Sequence, residues 1–285
     1  MATYDTVTDA GIVNVLFRST RGQVMASLPN LASKVGADAV YRADDFIDAL
    51  RSGGWDPGVV PDAVVFTYGG FDAVCASQPD VYTMNPNLGP GPGRFFVVNA
   101  ADGAVGICCM GIGAPAVVAI LEALVVLGVR RFVSMGTAGG LQADQVPGDA
   151  VLVTGTVRDE GTSYHYLSPE APAVPDSALT ASLADAMRSA GIEFASGSSW
   201  TIDAPYRQTE DEIARYRQEG VLTVEMEASA LFAVATLRQV PMASIVVVDG
   251  AFGEPIAVPR FDRGAAYGRL FQVLPVVIDV LQPNA

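Results

Sequence analysis

Short apolar runs alternate along this chain with longer stretches whose apolar positions recur every three or four residues, and glycine or proline marks most of the joins. The clearest stretch runs from Val105 to Leu141. Val105-Gly-Ile-Cys-Cys-Met110 predicts a buried strand, Gly111-Ile-Gly-Ala-Pro115 a tight loop, and Ala116 to Leu127 a helix stopped by Gly128. A second apolar strand, Gly128-Val-Arg-Arg-Phe-Val-Ser-Met135, leads into a second glycine loop, Gly136-Thr-Ala-Gly-Gly140. Together they read as one βαβ unit. Both glycine loops then lie at strand C-terminal ends, the edge of a parallel sheet where helix N-termini and free N–H groups converge on ligands.

The same rhythm extends on both sides. Ala63-Val-Val-Phe-Thr-Tyr68 predicts a strand, and Arg94-Phe-Phe-Val-Val-Asn99 with Ala104 to Met110 predicts a hairpin closed by Ala-Asp-Gly. Tyr82 to Arg94 is loop-rich. Downstream, strands are expected at Asp149–Thr154, Val221–Val224 and Ser244–Val248, and helices at Ala178–Ala190, Glu210–Arg217, Glu227–Gln239 and Arg263–Leu281. Residues 1–60 give a weaker pattern: a strand at Val13-Leu-Phe, helices over Gln23–Val35 and Asp44–Arg51, and a loop at Gly53-Gly-Trp-Asp-Pro57. They read as an extension packed on a single domain spanning 61–285. No internal repeat or linker is visible.

Composition narrows the class. Half of the 285 residues are hydrophobic and 29 are glycine, which fits an α/β fold with a mixed central β-sheet flanked by helices. A net charge of −14 repels polyanions, so neither nucleic acid nor an anionic membrane surface is expected as a partner. The N-terminus lacks the basic and apolar regions of a signal peptide, the helix from Ala116 is too short to span a bilayer, and a cytoplasmic location is expected. Cys75, Cys108 and Cys109 have no metal-ligand spacing and His165 is the only histidine, so no metal is expected. Cys108 and Cys109 read as small buried hydrophobes on opposite faces of one strand.

Gly111-Ile-Gly-Ala-Pro-Ala116 imitates the dinucleotide fingerprint, but Phe132-Val-Ser-Met135 carries no acidic residue about 20 residues on to hold a ribose. Another group of motifs is more informative. Gly111-Ile-Gly-Ala-Pro115, Ser134-Met-Gly-Thr-Ala-Gly-Gly140 and Val224-Glu-Met-Glu-Ala-Ser229, in this order, resemble the purine nucleoside and uridine phosphorylase superfamily, which also contains nucleosidases. Arg158-Asp-Glu-Gly-Thr-Ser and Asp203-Ala-Pro-Tyr-Arg207 are similar to a less characterised branch of it.

The resemblance implies a nucleoside phosphorylase-like fold in a homo-oligomer, a small-molecule nucleoside as partner, and no cofactor beyond phosphate as co-substrate. Cleaving an N-glycosidic bond passes through a ribosyl cation-like state, which needs carboxylates on the ribose hydroxyls, an apolar surface under the sugar, and a means to neutralise the departing base. By the resemblance, Glu227 accepts from the ribose hydroxyls, Met226 packs on the sugar, and Gly113 lines the substrate site. Glu225 is either a further ligand or a helix N-terminal acid. Asp249 ends an apolar strand, where its pKa can rise and let it donate a proton. In purine-specific relatives an Asp here serves the base. Tyr166 is expected to stack on the base, while Arg207 and Gln208 lie roughly where uridine-specific relatives read the uracil edge. The two clues leave the base open.

Gly69, Ser134, Gly136 and Thr137 mark the pocket for phosphate or another nucleophile. Relatives that bind phosphate commonly carry an Arg where Ser134 stands here and another in the first loop, which here is Tyr68-Gly-Gly-Phe-Asp-Ala-Val74. Arg18, Arg21, Arg94 and Arg207 are the candidate substitutes. Asp72 matches the place of a carboxylate that activates water in hydrolytic relatives. Phosphorolysis, hydrolysis, and nucleoside binding without turnover are therefore the three readings, with Asp249, Glu227 and Asp72 as the candidate catalytic residues.

Overall fold

The computed structural model describes residues 32–69, 82–83, 94–98 and 104–282. The Val13 strand, most of the Gln23–Val35 helix, Arg18, Arg21, Asp72 and Cys75 lie outside these residues. Among the described residues nine strands form one mixed sheet: β1 (Ala63–Tyr68), β2 (Tyr82–Thr83), β3 (Arg94–Val98), β4 (Val105–Met110), β5 (Arg131–Gly140), β6 (Ala150–Asp159), β7 (Ala195–Ile202), β8 (Thr223–Glu225) and β9 (Met242–Ala251). Six α-helices accompany them among the described residues: α1 (Ala43–Ser52), α2 (Ala114–Leu127), α3 (Ser177–Ser189), α4 (Glu210–Gln218), α5 (Ala228–Arg238) and α6 (Arg263–Leu281).

The strand order is β2-β3-β4-β1-β5-β8-β7-β6-β9, and β9 also pairs with β5, so five strands close into a ring while the other four extend from it as an open sheet. β5 is the hinge between the two parts. Along one edge its residues Arg131–Met135 run parallel to β1, and its last two, Gly139 and Gly140, run antiparallel to β8. β9 lies along the other edge from Phe132 to Gly140. A notch is left where β1 has ended and β8 has not begun. β4 lies on the far side of β1, so β4, α2 and β5 form the expected βαβ unit with β1 between its strands.

Alternation sorts the side chains. Phe66, Cys108 and Phe132 face α2 and α5, with the rings of Phe66 and Phe132 stacked 5.9 Å apart. Val65, Cys109, Val133 and Met135 face α3 and α6. The two cysteines thus point to opposite faces of β4 as the period of two requires, and both are buried. α1 packs its one fully buried residue, Ile47, into the same cluster as α2. α6 is long and apolar enough to cross a membrane by composition, yet Ala266, Leu270, Val273, Leu274, Val277 and Leu281 are buried in the second cluster.

Four expectations are corrected. The run Gly136-Thr-Ala-Gly-Gly140 is strand, not loop, because it stays paired to β9 while β8 approaches its end. β7, with its Ala195-Ser-Gly-Ser-Ser start, has no hydrophobic run to announce it; pairing with β6 and β8 makes it a strand. β6 continues to Asp159, past the expected end at Thr154, because β7 accompanies it. The helix expected from Ala116 begins at Ala114, with Pro115 in its first turn.

Close approach fixes the glycines that end β5. A Cβ on Gly140 would lie 2.9 Å from Gln145 Oε1, 3.0 Å from Ala251 Cβ and 3.1 Å from Val248 Cγ1. Gly140→Val should therefore destabilise the protein by about 1–3 kcal/mol through overpacking at the ring closure. Urea unfolding checks this, and an unchanged midpoint would contradict the closure as described.

Candidate active site

Glu225 ends β8 and Glu227 immediately precedes α5, which brings two carboxyl groups, each only 6 % exposed, to the notch beside β5. Their partners differ. Glu225 Oε2 accepts from the backbone N–H groups of Glu227 and Ala228, both at 2.7 Å, and so caps α5. Its Oε1 accepts from Thr201 Oγ1 at 2.5 Å and Ser199 Oγ at 3.4 Å. A carboxylate offers about four acceptor directions, and all of Glu225's are filled by protein. Glu225 thus spends its acceptors on the protein, at the start of α5 and on β7.

Glu227 reaches across the notch to the first glycine loop, where Gly113 N–H donates to Oε1 at 2.6 Å, and Met226 N–H donates to Oε2 at 3.3 Å. Burial, and then the charge of Glu225, push its pKa up to about 8. Burial also raises Glu225, but four hydrogen bonds pull against that, against two for Glu227, so Glu225 is the better supplied with donors for its charge.

Tyr68, at the end of β1, forms the floor. Its ring lies on Gly136, where a Cβ would meet Cδ2 at 2.7 Å, and its hydroxyl is 2.9 Å from Ser134 Oγ. Burial, then the charge of Glu227, hold the phenol well above its ordinary pKa. Sequence reasoning passed over this residue; the bare glycine opposite it on the neighbouring strand is the signal that would have found it. Gly69 follows with φ +62°, and Tyr267 Oη of α6 lies 3.5 Å from where its Cβ would stand.

Asp249, near the end of β9, is buried and hydrogen-bonded by the hydroxyl of Thr137. Burial raises its pKa, with Thr137 and Arg263 pulling the other way. The segment after β9 folds back on it: Asp262 N–H donates to Asp249 O at 2.7 Å, and Pro259 and Phe261 cover Gly250. Glu227, Gly113, Tyr68, Ser134, Gly136 and Gly69 therefore surround the notch, and the Thr137–Asp249 pair lies one strand step further along β5.

Residues 63–263 match the family model described as the phosphorylase superfamily. The chain belongs to the phosphorylase superfamily. A guanosine phosphorylase of Halorubrum lacusprofundi is 38% identical over 159 residues, covering 55% of this chain and 66% of that protein. A uridine phosphorylase of Treponema pallidum is 34% identical over 157 residues, covering 51% and 61%. The chain thus spans less than two thirds of the length of either relative. Among solved structures, a uridine phosphorylase from Vibrio fischeri superposes with a TM-score of 0.65 at 25% identity, covering 79% of this chain and 92% of its own. A purine nucleoside phosphorylase from Toxoplasma gondii has the same fold, with a TM-score of 0.69 at 21% identity over 78% and 91%.

The remaining residues singled out in the sequence have these surroundings. The Tyr166 hydroxyl bonds Glu122, which forks with Arg238 at 2.6 and 2.9 Å. Glu122 is nine residues along α2 from Gly113, about 14 Å of helix, and Arg238 ends α5 at the opposite pole from Glu227. Tyr166 thus spends its hydroxyl on Glu122. Arg207 is exposed on a short turn, Pro205–Arg207, with Gln208 half-buried after it. Arg94 sits on β3 opposite Cys109. Arg158 staples its own loop, donating to the carbonyls of Leu167, Ser168 and Ala171 and to Ser163 Oγ. His165 Nδ1 lies 2.6 Å from Lys34 Nζ on the surface.

A carboxyl that holds its proton more tightly folded than unfolded lends stability at low pH and loses it as pH rises. With its folded pKa near 8, Glu227 should make the protein progressively less stable from about pH 5 to about pH 8. Thermal unfolding across that range should show wild type losing ground to Glu227→Gln as pH rises. A constant difference between the two would place the proton elsewhere.

Proposed function

We propose that this chain cleaves the N-glycosidic bond of a nucleoside by phosphorolysis, releasing the free base and a pentose 1-phosphate. One observation carries the reading: a buried glutamate, Glu227, is held at the start of α5 against the N–H of the first glycine loop, in the notch where β5 exchanges β1 for β8. Relatives named guanosine and uridine phosphorylases support it.

In this reading Glu227 takes up hydrogen bonds from the ribose hydroxyls, and Met226 beside it packs on the sugar. As the C1′–N bond lengthens, positive charge grows on the sugar ring and is met by the carboxyl pair. A phosphate oxygen, bound near Gly69, Ser134, Gly136 and Thr137, attacks C1′. The bonding pair leaves with the base, which takes a proton from Asp249; the raised pKa of that carboxyl suits a donor, and favours a purine. Organic cofactor and metal play no part, and the working form is a homo-oligomer.

Water is the second acceptor, favoured by one feature. Ser134 and Tyr68 spend their hydroxyls on each other where the phosphate would sit, and neither brings positive charge. Chromatography of purified protein with purine and pyrimidine nucleosides, with and without phosphate, separates the two. Base release is expected only with phosphate, accompanied by pentose 1-phosphate; free pentose in phosphate-free buffer would replace phosphorolysis with hydrolysis. In the same assay Glu227→Ala should lower kcat/KM by at least about 100-fold. Asp249→Asn should cost purine nucleosides about 100-fold and pyrimidine nucleosides far less. Equal losses on both would remove Asp249 as the purine's proton donor.

A further inference from the structure

A continuous run of buried polar groups leads away from the carboxyl pair. Thr201, on β7, is wholly buried, and its Oγ1 accepts from Ser229 N–H at 3.0 Å while donating to Glu225 Oε1 at 2.5 Å. Because Ser229 N–H can only donate, Thr201 must accept there, and its single proton goes to Glu225. Ser229 is itself tethered, its Oγ donating to Glu160 Oε1 at 2.8 Å, and Glu160 Oε2 accepts from Ser163 N–H at 2.9 Å. On the other side Thr223 Oγ1 lies 3.0 Å from Ser199 Oγ, which in turn reaches Glu225. β7, β8, the start of α5 and the Ser163 turn are joined in this way through side chains that no solvent reaches.

We infer that Thr201 is a positioning residue: anchored by Ser229, its hydroxyl fixes Glu225 against the start of α5 as the ionised member of the pair, and so leaves Glu227 as the member that meets the substrate. The consequence follows from counting donors. Without Thr201, Glu225 Oε1 keeps only the 3.4 Å bond from Ser199, Glu225 competes with Glu227 for the shared proton, and Ser229 N–H loses its acceptor inside the core. The titratable groups facing Glu225 are Glu227 from its own segment and Tyr68 from β1. The inference rests on the reading of Glu227 as the residue that grips ribose.

Two measurements on full-length Thr201→Val and Thr201→Ser test it. In the first, carboxyl ¹³C NMR follows the titration of Glu225 and Glu227. Glu225 should take up its proton at a higher pH in Thr201→Val than in wild type, and Thr201→Ser should restore the wild-type titration. In the second, kcat/KM is measured for a purine ribonucleoside and its 2′,3′-dideoxy analogue. Thr201→Val should lose about tenfold or more on the ribonucleoside, the worth of one hydrogen bond to a charged group, and less than about threefold on the analogue. Equal losses on both substrates, or a Glu225 titration unmoved by Thr201→Val, would overturn the inference. If Thr201→Val fails to fold, Thr201→Ala removes the same donor without the added methyl, and the same outcomes apply. A wild type that releases no base while the NMR titration shifts as expected would sink the proposed reaction and keep the positioning role.

Discussion

Two carboxyl groups two residues apart cannot both be buried and charged without donors arranged to receive them, and the requirement shapes this protein more than any other single demand. Glu225 meets it by capping α5 and by accepting the hydroxyls of Thr201 and Ser199. Glu227 meets it only partly, with Gly113 and Met226, and its pKa is pushed up to about 8 by burial and by the charge of Glu225. Because one glutamate is fully satisfied, the other retains capacity for a ligand. The asymmetry of the pair comes from its donors, since the residue type is the same.

The sheet supplies the place for that pair. β5 carries β9 along one edge and changes partner on the other, from β1 to the antiparallel β8. Among the described residues no backbone ladder fills the gap between them. Tyr68 fills its floor, lying on a glycine and tied to Ser134, while Gly113 closes one side. The ring of five strands then returns the end of β9, with Asp249, to the same stretch of β5. Glycine recurs along β5 because strands and rings approach it too closely for any side chain at Gly136, Gly139 and Gly140.

Much of this was legible in the residues alone. The βαβ unit, the hairpin of β3 and β4, and helices α3 to α6 follow from local periodicity and glycine or proline stops, which depend only on neighbours in the chain. Glu225, Met226 and Glu227 could be singled out because their motif is contiguous. β7 was missed because a strand held on both edges needs no hydrophobic run of its own. The tie of Tyr166 to Glu122, itself forked with Arg238, was not legible because Arg238 lies more than seventy positions away in the chain.

By itself, then, the sequence determined the class of fold, the acidic surface, the buried cysteines and the motifs that mark the superfamily, since each is set by residue type and spacing. Tertiary structure alone decided that the glycine run after Met135 is strand, that Glu225 gathers more protein donors than Glu227, and that Tyr68 lies on Gly136 while Tyr166 bonds Glu122. Each of those outcomes depends on a donor or a strand edge brought from a distant part of the chain, and local pattern carries no record of which partner will arrive.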